Sequence, residues 1–71
     1  MTARAIVSVV DVAKAVEDSG DYWIEASDAG RDDWTGFSLL EIRGEYDRLI
    51  LFLTDYLAMS VGEADLTIEE D

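Results

Sequence analysis

Apolar positions along this chain fall into stretches of different period. In residues 3–18, Ala5, Ile6, Val9, Val12, Ala13 and Val16 recur at i, i+1, i+4, i+7, i+8 and i+11, a spacing that gathers them on one side of a helix. Asp11, Lys14 and Asp18 lie opposite, and Gly20 supplies a stop. The run Ile-Val-Ser-Val-Val at 6–10 pulls the other way, because β-branched residues favour strands. A strand at 4–10 followed by a short helix is the alternative.

Residues 21–27 alternate. Tyr22, Ile24 and Ala26 point one way, and Trp23, Glu25 and Ser27 the other. Residues 36–42 form a second strand with less clean alternation. The segment between them, Ser-Asp-Ala-Gly-Arg-Asp-Asp-Trp-Thr-Gly at 27–36, is rich in Asp and Gly and predicts a hairpin connection. Residues 43–62 are the clearest helix, starting near Gly44 or Glu45 and ended by Gly62. Tyr46, Leu49, Ile50, Leu53, Tyr56 and Leu57 make its apolar stripe. Glu45 and Asp47 occupy the first turn, where the helix dipole favours them. Leu66 and Ile68 alternate as in a short edge strand, before a frayed Glu-Glu-Asp terminus. The predicted order is α–β–β–α–β. Its simplest packing is a small α+β single domain over residues 1–71, a short antiparallel sheet with two helices on one face.

Length and composition sharpen this picture. A chain of 71 residues, 49% of them apolar, is one small domain with a modest core. It has no cysteine, so neither disulfides nor thiolate metal sites staple it. It has no histidine, the usual general base and commonest metal ligand. The early Arg4, Asp11 and Lys14 break the pattern of a signal peptide, and no stretch approaches a membrane span. A cytoplasmic protein is expected, in the host cell's cytoplasm if phage-encoded.

Charge narrows function most. Seventeen Asp and Glu face five Lys and Arg, a net of −12. Such a field repels nucleic acid and anionic membranes and steers basic surfaces inward. Trp23, Trp34 and Phe37 could stack on bases, but affinity for phosphates rests on Lys and Arg. A calcium loop is not expected at Asp28, Asp32, Asp33 and Glu41, because the spacing is wrong and Arg31 puts a cation in the cage. Paired carboxylates at Asp32–Asp33 lack the cleft that would split their pKa values, and no nucleophile–base pair stands out. No enzyme activity, cofactor or metal is expected.

Binding to a basic protein remains. Side chains on one strand face repeat about every 6.8 Å, and helix neighbours lie about 5–6 Å apart. Both roughly match phosphate spacing along a DNA strand, so a compact acidic domain can imitate a duplex edge. The expected binding residues are Glu25, Asp28, Asp32, Asp33, Trp34 and Glu41, with the hairpin tip in solvent and Trp34 anchoring its base or offering an aromatic contact. Leu51, Phe52 and Met59, opposite the helix stripe, suggest an apolar patch covered in a homodimer or by a partner. The −12 charge opposes the homodimer.

In size, acidity and lack of catalytic residues the chain resembles the small acidic phage-encoded inhibitors of the anti-CRISPR and DNA-mimic type, and also acidic immunity proteins and antitoxins. The resemblance is one of composition over the whole chain. It implies a basic nucleic-acid-handling partner, such as a subunit of a CRISPR surveillance complex. A salt-adapted or generic acidic interaction domain is the alternative.

Overall fold

The computed structural model describes residues 1–60, 62 and 64–69. Strand β1 spans Thr2–Val9 and helix α1 Val12–Ser19, followed by a 3-10 turn at Gly20–Tyr22. Strands β2 (Glu25–Arg31) and β3 (Ser38–Glu45) form the hairpin. Helix α2 (Tyr46–Leu51) runs on into a π turn at Phe52–Tyr56, and β4 covers Asp65–Glu69. The sheet order is β2-β3-β1-β4, with every neighbouring pair antiparallel. Each helix thus links two parallel strands with a third between them. This double split β-α-β is the connectivity of ferredoxin-like folds, a topology that hosts many functions and specifies none.

The α+β architecture, the antiparallel sheet and the two helices on one face are as the sequence pattern indicates. The first element differs. Residues 2–9 are a strand, not the opening turns of a helix over 3–18. Ala3, Ala5, Val7 and Val9 are buried, while Arg4, Ile6 and Ser8 point away, a period of two. This strand hydrogen-bonds to β3 on one side and β4 on the other, so its backbone groups find partners without helical turns. The chain turns at Val10, and Asp11 then caps α1: its carboxylate accepts the Lys14 backbone N–H at 3.1 Å. An N-cap aspartate of this kind contributes about 1 kcal/mol.

The hairpin strands also shift, to 25–31 and 38–45 in place of 21–27 and 36–42. Trp23 takes a left-handed conformation (φ 60°) after the 3-10 turn, so the regular strand starts two residues later. The expected sidedness nevertheless holds. Ile24 is buried and Tyr22 and Ala26 half-buried, while Trp23, Glu25 and Ser27 are exposed.

The second helix is shorter than the pattern over 43–62. Ala58 adopts φ 52°, and the Met59 N–H donates back to the Leu53 carbonyl at 3.0 Å. That backward bond past a left-handed residue is a standard helix stop, and it acts before Gly62. Of the Glu-Glu-Asp terminus expected to fray at 69–71, Glu69 is instead the last residue of β4, in register with Thr2, and residues 70 and 71 lie outside the described residues.

The core lies between the sheet and the two helices. Leu40 and Ile42 of β3 meet Leu49, Phe52 and Leu53, all without solvent exposure. Ala3, Ala5 and Val7 pave the floor beneath them. The buried face of α2 therefore centres on Leu49, Phe52, Leu53 and Tyr56. This corrects the expected patch of Leu51, Phe52 and Met59. Leu51 remains exposed, but Phe52 is fully buried and Met59 packs half-buried against the core. Phe52 lies against Tyr22 and Tyr56, with ring centroids 5.2 and 4.9 Å away. These rings turn the helix face toward it.

Candidate acidic interface

The hairpin connection is built by its own aspartates. Asp28 accepts the Gly30 N–H at 2.7 Å, and the ladder shifts register between these two residues, a β-bulge on an edge strand. Asp32 accepts the Trp34 N–H at 2.8 Å through its carboxylate, while its own backbone N–H donates to the Phe37 carbonyl at 2.9 Å. Gly36 closes the turn by donating to the Asp32 carbonyl at 2.8 Å. Gly30 and Gly36 sit at φ 96° and 79°, conformations that glycine adopts without steric cost. Local side-chain to backbone bonds of this kind are why Asp concentrates in turns.

The result is a tip that presents charge and an aromatic ring to solvent. Asp28 and Asp33 are exposed and Asp32 is half-buried. Among the described residues none of the three is in an ion pair. Trp34 is 94% exposed, so it does not anchor the base of the hairpin. It stands out from the tip as a free aromatic surface.

Glu25 and Glu41 belong to a different face. In the β2–β3 register Glu25 pairs with Arg43 and Glu41 with Ser27, on the side of the sheet that no helix covers. That face carries Thr2, Arg4, Ile6 and Ser8 of β1, Leu39, Glu41 and Arg43 of β3, and Glu69 of β4. Arg4 and Arg43 stand directly opposite one another, a repulsive placement that Glu69 relieves by reaching both, at 3.8 and 3.0 Å. Sheets that read single-stranded RNA do so by stacking bases on aromatic side chains. None occupies a strand position of this face among the described residues. The sheet therefore splits the expected binding residues in two: Asp28, Asp32, Asp33 and Trp34 at the tip, Glu25 and Glu41 on the open face.

Neither a family model, nor a curated protein, nor a solved structure matches this chain.

Sequence reasoning missed a feature beside the tip. A groove of about 650 Å³ lies where the end of β1, the start of α1, the start of β3 and the end of α2 converge, with Val9, Val10, Ala15, Phe37, Tyr56 and Leu57 among its walls. Asp11 and Lys14 stand at its rim. One wall is held by a bond chain: the Tyr56 hydroxyl donates to Asp18 at 2.6 Å, and the Lys14 ammonium lies 3.6 Å from the same carboxylate. Donation to Asp18, then burial, pushes the Tyr56 pKa up to about 12, since only the neutral phenol can donate. Tyr22 donates likewise to Asp55 at 2.7 Å, and its pKa is raised for the same first reason. The available signal was the isolated Phe37 after a turn and the doubled Val9-Val10 before a cap, both too short for a periodicity argument.

No group of three or more metal-ligating side chains is placed to hold an ion among the described residues. No helix of the described residues is long and apolar enough to cross a membrane.

Proposed function

We propose that this protein is an acidic protein-binding inhibitor, one that occupies the basic nucleic-acid-binding surface of a defence or nuclease protein, with the β2–β3 hairpin as its leading edge. One observation carries the reading. The tip holds Asp28, Asp32 and Asp33 beside a Trp34 that is 94% exposed, on a turn pinned by its own backbone bonds. Keeping a tryptophan in water forgoes the burial of a large apolar surface. Tryptophan is also the residue most enriched where binding energy concentrates. The net charge of −12 selects the partner's sign and accelerates its approach. The same charge argues against direct contact with DNA or RNA.

The test is competition. A labelled DNA duplex is bound to a basic nucleic-acid-handling protein, such as a CRISPR surveillance-complex subunit, and the acidic protein is titrated in. Displacement that weakens steeply with salt supports inhibition. Failure to displace DNA from any of a panel of such proteins, together with a melting temperature that climbs toward molar salt, would instead favour a salt-adapted domain.

A further inference from the structure

We propose that the groove beside the hairpin tip receives a large apolar side chain from the basic segment that the tip attracts, so that the partner presents Lys or Arg around a Leu, Phe or Trp. This deepens the functional reading above and rests on it. Three observations lead here.

The first is continuity. Asp32 at the tip donates its backbone N–H to the Phe37 carbonyl at 2.9 Å, and the Phe37 ring lines the groove. Tip and groove are therefore two ends of one loop closure, and a segment lying on one reaches the other. The second is that apolar surface is left in water at this end. Phe37 is 55% exposed and Val10 94% exposed. The groove's 650 Å³ lies within the range of roughly 300–1,000 Å³ typical of occupied sites.

The third is the sign of the rim. Its cation, Lys14, lies 3.6 Å from Asp18, which also takes the Tyr56 hydroxyl. Asp11 lines the groove at the head of α1, so that Asp11 and Asp18 outweigh the one lysine here, and the tip joins this end of the molecule through the bond from Asp32 to Phe37. An apolar floor under an acidic rim complements a cationic segment with one apolar anchor. A second copy of this chain brings the same −12 charge and is repelled, as are nucleic acids and anionic lipid surfaces. A groove of this kind also separates the surface from a plain imitation of DNA. Phosphates carry nothing that would fill it, and its contribution does not screen with salt.

Two synthetic peptides serve as probes, titrated into isotope-labelled protein and followed by NMR across a salt series. One alternates arginine and serine. The other replaces its central serine with leucine. The leucine peptide is expected to bind about tenfold more tightly or better, as burial of one such side chain implies, and to keep that advantage as salt rises. Its shifts should reach Val10, Ala15, Phe37 and Leu57. Phe37→Ser should remove the preference and leave arginine–serine binding unchanged. Val10→Ser, at a position exposed enough to spare the fold, repeats the test should Phe37→Ser unfold. Equal binding of both peptides, with shifts confined to the tip, overturns the groove proposal alone. Absence of binding by either peptide overturns the charge-based reading and the groove with it.

Discussion

Two sets of aspartates in this molecule do opposite things with the same side chain. At the hairpin tip, the carboxylates of Asp28 and Asp32 bond, among the described residues, only to backbone N–H groups two residues ahead, and Asp33 stands exposed. Between the helices, Asp55 and Asp18 accept the hydroxyls of Tyr22 and Tyr56 across 33 and 38 residues of sequence. The Tyr22, Phe52 and Tyr56 rings pack edge-on or tilted beneath those bonds. One set shapes a turn and leaves charge in water. The other ties α1 and the following 3-10 turn to the end of α2. The difference teaches that an acidic chain of this size is not uniformly acidic in role. A carboxylate becomes structural where an aromatic donor from a distant element reaches it, and stays available to a partner where only its neighbours do.

The comparison breaks most visibly at Phe52. Replacing this fully buried ring by alanine should cost about 3–5 kcal/mol. That is a large share of the stability of so small a domain. Urea denaturation should show a partly or wholly unfolded variant. A loss below about 1 kcal/mol would mean that the aromatic cluster is not the centre of the fold.

A smaller effect is expected from the tyrosine–aspartate bonds, and pH isolates it. Tyr56 has its folded pKa raised from 10.0 to about 12. A raised pKa means the bond stabilises the fold fully below the unfolded value and is lost as pH climbs through the folded one. Stability should therefore hold up to pH about 10 and decline between about 10 and 12. Tyr56→Phe should be less stable than the parent at neutral pH, and the gap should close across that window. Melting curves of both proteins at a series of alkaline pH values decide this; parallel curves throughout would show that the hydroxyl contributes nothing.

The least effect on the fold is expected at the tip. Converting Asp32 and Asp33 together to asparagine should change stability by no more than about 0.5 kcal/mol, since the Asn carbonyl can still accept the Trp34 N–H. Binding should respond where folding does not. The displacement of labelled DNA should become weaker, and its salt dependence shallower, because rim charges act mainly on association and screening. A double variant that melts like the parent and binds with the same salt slope would return the tip to the role of a solvated turn.

Much of the fold was legible in the residues, and the legible parts share a cause. The sidedness of Tyr22, Ile24 and Ala26, the presence of a hairpin (its connection at 32–37 rather than 27–36) and the short strand holding Leu66 and Ile68 all follow from local alternation and turn chemistry. The turn at the tip was equally visible, because Asp and Gly at those spacings bond to their own backbone whatever surrounds them. The acidic field needs no structure at all.

What the chain alone left undecided is where two periods fit the same residues. Ala5, Ile6 and Val9 suit a helical face, while Ala3, Ala5, Val7 and Val9 suit a strand. The choice fell to β3 and β4, which lie on both sides of this segment and satisfy its backbone as a central strand. The face of α2 was settled in the same way. Leu49 and Leu53 are inward on either reading, and Phe52 joins them because Tyr22, from an element thirty residues earlier, supplies the ring it packs against. The groove exists only where four chain segments meet. Local order of residues sets period, turns and charge; which of two apolar faces is buried, and where a hollow opens between elements, is set by partners remote in sequence.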